Sequence, residues 1–170
     1  MARRSTSVMR RLRSLAVLEL LNVGIIGWAT FGPFSADPGI ANLAAYGLVA
    51  THLVVGATYW AAKAHQLHDG LDLPVLAHLL DPTRRVLAGG LAIGLVVILA
   101  TAPTQPPSSW LAAVPLWLLA AAEHVNYFHW QLMYDNRADL RRLRSTGPVR
   151  PHARQDAIAA STAPSAPNAP

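Results

Sequence analysis

Apolar residues gather into four runs, and the polar residues fall mostly between them. The runs cover residues 14–34, 40–62, 86–102 and 110–130. A helix that crosses the hydrocarbon of a bilayer needs about 20 mostly apolar residues. The third run is the shortest and the most apolar, GGLAIGLVVILATA, and it spans with little tilt. The pattern predicts an all-α fold, a four-helix transmembrane bundle. Two connections are short, SADPG and PTQPPSS, so runs one and two, and runs three and four, should form antiparallel hairpins.

The middle connection, residues 63–85, is longer and reads HQLHDGLDLPVLAHLLDPTRR from residue 65. Pro74 is placed to open a short helix reaching Leu80, with Asp72 near its N-terminus. Leu73, Leu76, Leu79 and Leu80 would give that helix one apolar side, which suits a helix lying on the membrane surface. From residue 145 the chain turns to Pro, Ala, Ser and Thr, which cannot bury a core, and disorder is expected there. Three segments result: a basic tail over residues 1–13, a membrane domain over 14–144, and a disordered tail over 145–170.

Composition strengthens the membrane reading. Hydrophobic residues make up 52% of the 170-residue chain and charged residues 14%. A soluble domain carries about 25% charged residues, so the chain is a poor match to a soluble enzyme. The absence of cysteine excludes a disulfide scaffold, a zinc–cysteine site and a cysteine nucleophile.

The charges orient the bundle. Of the 14 basic residues, five lie before the first run (Arg3, Arg4, Arg10, Arg11, Arg13). Lys63, Arg84 and Arg85 lie in the middle connection, and the rest follow the fourth run, from Arg137 to Arg154. The two short connections hold none. By the positive-inside rule both termini and the middle connection are cytoplasmic, in a multi-pass protein of the plasma or inner membrane. The basic start resembles a signal peptide. The run behind it is too long for a signal core, holds Glu19 and Asn22, and has Phe34 where a small residue is wanted before a cut after Ala36. An uncleaved first span is expected. Aromatic residues fit the same boundaries. Trp28, Phe31, Phe34 and Trp110 sit at the outer side, and Tyr59, Trp60, Tyr127, Phe128, Trp130 and Tyr134 at the inner side.

Ionisable residues within spans are costly and face the bundle interior. They are few: Glu19, His52, Glu123 and His124, joined by Asn22 and Asn126. Glu19 and Asn22 are three apart, as are Glu123 and Asn126, so each pair shares a helix face. At about 1.5 Å per residue, Glu19 lies about 7 Å from the inner boundary and Asn126 about 6 Å, while Asn22 lies about 12 Å deep and Glu123 about 10 Å. Runs one and four cross in opposite directions, which reverses the two E-x-x-N patterns in space, so Glu19 is expected to face Asn126, and Asn22 to face Glu123. His52 falls near the deeper pair. The polar cluster Glu19, Asn22, His52, Glu123 and Asn126 then joins spans one and four. It is either a clamp that fixes helix register or a proton- or cation-coupled site.

Seven histidines raise a metal or haem alternative: His52, His65, His68, His78, His124, His129 and His152. His65 and His68 share a helix face if the second helix continues past the membrane. His124 and His129 point roughly 140° apart on a helix. The clustered histidines of a di-iron hydroxylase are missing, whereas a bis-histidine haem between spans two and four remains open, from His65 or His52 with His124 or His129. Inner-end histidines also serve as plain interfacial residues. No G-x-S-x-G, P-loop or H-E-x-x-H is present. Gly90 and Gly94 form a small-x-x-x-small pattern that allows close helix approach or self-association. The scattered tail arginines, without interleaved aromatics, suit anionic lipid headgroups rather than nucleic acid.

The segment EHVNYFHWQLMYDNRADLRRL, residues 123–143, resembles one found in small bacterial four-helix membrane proteins, in which Glu and Asn precede Tyr-Phe-His and a surface helix. The resemblance singles out Glu123, Asn126, Tyr127, His129 and Asp135 and implies no particular activity. The layout is also similar to the small multidrug-resistance transporters, four-span proteins with a working glutamate in the first span, where Glu19 stands here. The long middle connection, the longer tails and the lack of the surrounding aromatic pattern depart from them. The expected function is a non-enzymatic membrane subunit or scaffold with no resident cofactor, partnered by lipid, a second copy or another membrane subunit. A proton-coupled transporter and a haem- or metal-binding redox protein stand as alternatives.

Overall fold

The computed structural model describes residues 2–71 and 77–129. Four α-helices make up nearly all of them: α1 (Ala2–Phe31), α2 (Ile40–Asp69), α3 (Leu80–Thr101) and α4 (Ala113–Phe128). Two short 3-10 turns, Ala77–Leu79 and Pro107–Ser109, precede α3 and α4. No strand occurs among the described residues.

Three of the helices are long and apolar enough to cross a membrane: α1 from Val8, α2 in full, and α3 with the turn before it. Helix α1 begins at Ala2 and takes the basic segment before the first apolar run into the same helix. Helix α2 continues two turns beyond residue 62 and stops at Gly70, whose left-handed φ of 67° a glycine adopts without strain. The Gly70 N–H reaches the Gln66 carbonyl, as does that of Leu71.

Helix α3 starts six residues before the apolar run, because Asp81 stabilises its first turn. Asp81 lies at the positive end of the helix dipole and accepts bonds from Arg84 at 2.9 Å and Arg85 at 2.7 Å. The Arg84 bond above all, with that of Arg85, holds the exposed Asp81 carboxyl below its ordinary range.

The fourth run differs most from expectation. Its helix begins at Ala113, not at residue 110, and is described for 16 residues, about 24 Å of rise. Pro115 is the reason: with no N–H it cannot close a turn onto Leu111. The first regular bond past it, Leu116 N–H to the Ala112 carbonyl, is long at 3.4 Å. The surface helix expected from Pro74, the inner aromatics Trp130 and Tyr134, the basic segment from Arg137, His152 and the tail over 145–170 lie outside the described residues, apart from the turn at Ala77–Leu79.

Helix α2 is the hub and packs against each of the other three. Its buried side recurs every three or four residues: Ala41, Ala45, Val49, His52, Leu53, Gly56 and Ala57. Small side chains there let neighbouring backbones approach closely. Ile98 from α3 and Ala113, Leu116 and Ala120 from α4 complete the core. The Gly90/Gly94 pattern lies against Leu48 of α2: a Cβ on Gly94 would stand 2.5 Å from Leu48 Cδ1. Trp117 packs within the bundle and donates from Nε1 to the Leu91 carbonyl at 2.8 Å.

The two connections without basic residues meet at one end of the bundle. Asn42, fully buried on α2, donates from Nδ2 to the Asp37 carbonyl at 2.8 Å and the Ser108 carbonyl at 2.9 Å. The Asp37 N–H also donates to Ser108. Lys63, Arg84 and Arg85 belong to the opposite end.

Candidate functional site

The polar residues of the spans collect in the half of the bundle away from Asn42. On α2, His52, Gly56 and Trp60 repeat every four residues and form one stripe. On α4, Glu123, Asn126 and Tyr127 share one face, while His124 and Phe128 share the neighbouring one. Helix α1 brings Glu19.

Tyr127 joins the three helices. Its hydroxyl donates to Glu19 Oε1. The side chain of Trp60 bonds to both Glu19 and Tyr127. Gly56 makes the arrangement possible, because any Cβ there would collide with the Tyr127 hydroxyl. Glu123 bonds Asn126 on its own helix and lies close enough to Glu19 for their charges to interact. The depth arithmetic therefore brings the right levels of α1 and α4 together, but the partners differ from those expected. Glu19 takes Tyr127 and Trp60, Asn126 takes Glu123, and Asn22 lies on the exposed side of α1. The reciprocal Glu–Asn exchange is replaced because the longer tyrosine reaches across from α4.

The histidines divide into two groups. His65 and His68 are exposed near the end of α2, where Asp69 lies 3.0 Å from His65 Nδ1 and 3.9 Å from His68 Nε2. They do not join the residues of α4. His52 and His124 face each other between α2 and α4, with ring centroids 5.6 Å apart and ring planes at 78°. His124 also stacks near Phe128, at 5.1 Å, and near His129, at 5.5 Å.

His52 is fully buried, and its Nδ1 lies 2.8 Å from the Leu48 carbonyl oxygen. A carbonyl only accepts, so Nδ1 carries the proton and Nε2 presents a lone pair. That Nε2, and Nδ1 of His124, are buried without a hydrogen-bond partner among the described residues. No group of three or more His, Asp or Glu side chains is arranged to hold a metal ion among the described residues.

Trp60 and Gly56 are absent from the expected cluster, and Tyr127 enters only through the resemblance of residues 123–143. Tyr127 stands four residues after Glu123, and Trp60 four after Gly56. Helical spacing therefore carried the signal, which the weight given to charged residues hid.

A glutamate bonded by a phenol and an indole is a hydrogen-bonded tie between helices. Among the described residues, nothing beside it marks a nucleophile or an oxyanion site. No family model, curated protein or solved structure matches this chain.

Proposed function

We propose that the chain is a four-span integral membrane protein of the plasma or inner membrane, with both termini and the 63–85 connection cytoplasmic. It serves as a non-enzymatic subunit or small scaffold. The observation that carries this reading is the Glu19–Tyr127–Trp60 contact, which uses the polar side chains of three helices on one another. Residues used in this way hold helices in register. The basic residues at the cytoplasmic end attract anionic headgroups, and the middle connection and C-terminal tail are the parts offered to a partner.

The cysteine-free sequence makes the topology directly testable. Single cysteines in place of Ser35 and Thr104 should react with a membrane-impermeant maleimide added outside intact cells. One in place of His68 should react only after permeabilisation. Labelling of His68→Cys in intact cells, with Ser35→Cys protected, would overturn the orientation.

The nearness of Glu19 and Glu123 favours a second reading, proton-coupled transport. Two carboxylates that feel each other's charge cannot both ionise freely in a desolvated site. Purified protein in liposomes would separate the two. Proton flux abolished by Glu19→Gln and Glu123→Gln variants that remain folded supports transport. No flux above that of empty liposomes supports the scaffold.

A further inference from the structure

Helix α1 packs chiefly on α2, and α4 packs on α2 and α3. Towards the end of the bundle where Asn42 ties the two short connections, α1 and α4 leave a cavity of about 580 Å3 between them. Ile26 and Thr30 of α1, Leu116 and Leu119 of α4, and Ser35 and Ser108 of the connections line it. We propose that this cavity holds one acyl chain of a bilayer glycerophospholipid, whose ester carbonyl accepts a hydrogen bond from the Thr30 hydroxyl. The proposal rests on the membrane-spanning reading above, though not on which end is cytoplasmic.

Thr30 carries the argument. Thr51, Thr58 and Thr101 each donate to the backbone carbonyl four residues back, at 2.7, 2.8 and 2.8 Å. That bond settles a threonine hydroxyl within a helix. Thr30 is only 6% exposed, yet its hydroxyl has no partner among the described residues. Its oxygen is not one of the sealed, partnerless atoms of the bundle either. The hydroxyl therefore reaches open space, and the space that Thr30 lines is this cavity. A buried donor without an acceptor is costly, and native proteins rarely keep one. The occupant must bring an acceptor oxygen.

The walls define the rest of it. On one side of Thr30 they are aliphatic, and on the other come Ser35 and Ser108. The membrane-crossing stretch of α1 ends at Phe31, one residue after Thr30. Thr30 thus stands at the edge of the hydrocarbon, where the ester carbonyls of a phospholipid lie. Tail, ester and headgroup meet aliphatic side chains, a hydroxyl donor and serines in that order. Among the described residues no charged side chain lines the cavity. A fatty-acid carboxylate or an amine would be buried there without a counter-charge. The volume falls within the range of about 300–1,000 Å3 typical of small-ligand sites and suits a single chain. Lipid is also the medium that bathes a cleft between two spans.

The test uses the full-length protein, extracted in detergent, delipidated, and mixed with dipalmitoyl phosphatidylcholine or its dihexadecyl ether analogue, which lacks the ester carbonyls. Native mass spectrometry reads the lipid retained. One ester lipid per chain is expected, held about fivefold more tightly than the ether lipid, the size of one hydrogen bond. Thr30→Val should erase that preference, and Thr58→Val should leave it intact. Ala29→Trp, which fills the cavity, should abolish retention. Circular dichroism checks the fold of each variant. Where one does not fold, the ester-to-ether ratio of the wild-type protein decides. No lipid retained, equal retention of ester and ether lipid, a preference that survives Thr30→Val, or lipid kept by folded Ala29→Trp would each overturn the proposal. Protein recovered from cells without detergent would instead overturn the membrane reading on which it rests.

Discussion

Helices α1 and α2 are equally long and their membrane-crossing stretches are equally apolar, yet 44% of the most apolar stretch of α2 is buried in the protein against 6% of that of α1. What separates them is the size and placement of side chains. Helix α2 sets Ala41, Ala45, Gly56, Ala57 and Ala64 along its buried side, so three neighbours come close. Helix α1 carries Val17, Leu18, Leu20, Leu21, Ile25 and Trp28 on its exposed side. Its inner side is a narrow strip through Glu19, Val23, Ile26, Gly27 and Thr30. Hydropathy therefore identifies a span, and the pattern of small and polar residues identifies the hub. Because α1 offers little area to the core, a few specific bonds matter more to its position. These are the contacts of Glu19 at one level, and the bond from Tyr46 Oη to the Val23 carbonyl, at 3.0 Å, at another.

The comparison breaks most severely where the hub loses its smallness. Gly56→Leu places a branched side chain where Tyr127 stands. It should cost about 3 kcal/mol or more, as overpacking does, and should show as early thermal unfolding in detergent. Asn42→Ala comes next, because it strips the Asp37 and Ser108 carbonyls of their buried donor. A loss of about 1–3 kcal/mol is expected, with faster hydrogen exchange in both short connections together. Tyr46→Phe removes one bond between α1 and α2 and should cost about 1 kcal/mol, leaving the α3–α4 pair untouched.

The smallest effect concerns the start of α3. The carboxyl of Asp81 is held below its ordinary range by Arg84 and Arg85. Its contribution is present above the unfolded carboxylate pKa and is lost as pH falls through the lower folded value. Acidification through that window should speed hydrogen exchange at the first turn of α3 and leave the rest of the bundle unchanged. Asp81→Asn should abolish the pH dependence.

Much of this fold was legible in the sequence. The apolar runs located all four helices, and the basic-free SADPG and PTQPPSS connections do meet at one end. The boundaries were less legible, because they depend on local bonds that hydropathy does not register. The missing N–H of Pro115 delays α4, and Asp81 with its arginines advances α3. At the site, depth arithmetic brought Glu19 to the level of Asn126, one residue from its actual partner. The pairing itself depends on side-chain reach and on the space left by Gly56, neither of which appears in the spacing of charges. Asn42 was passed over for a similar reason: its partners are backbone carbonyls of two connections, and carbonyls carry no sequence signal.

The central claim is that Tyr127 holds α1 through Glu19. A double-mutant cycle on the unfolding free energy of Glu19→Gln, Tyr127→Phe and the pair measures it most directly. A coupling of about 0.5–2 kcal/mol is expected, the range of hydrogen bonds between membrane helices. Strictly additive losses, with no coupling between the two sites, would contradict it.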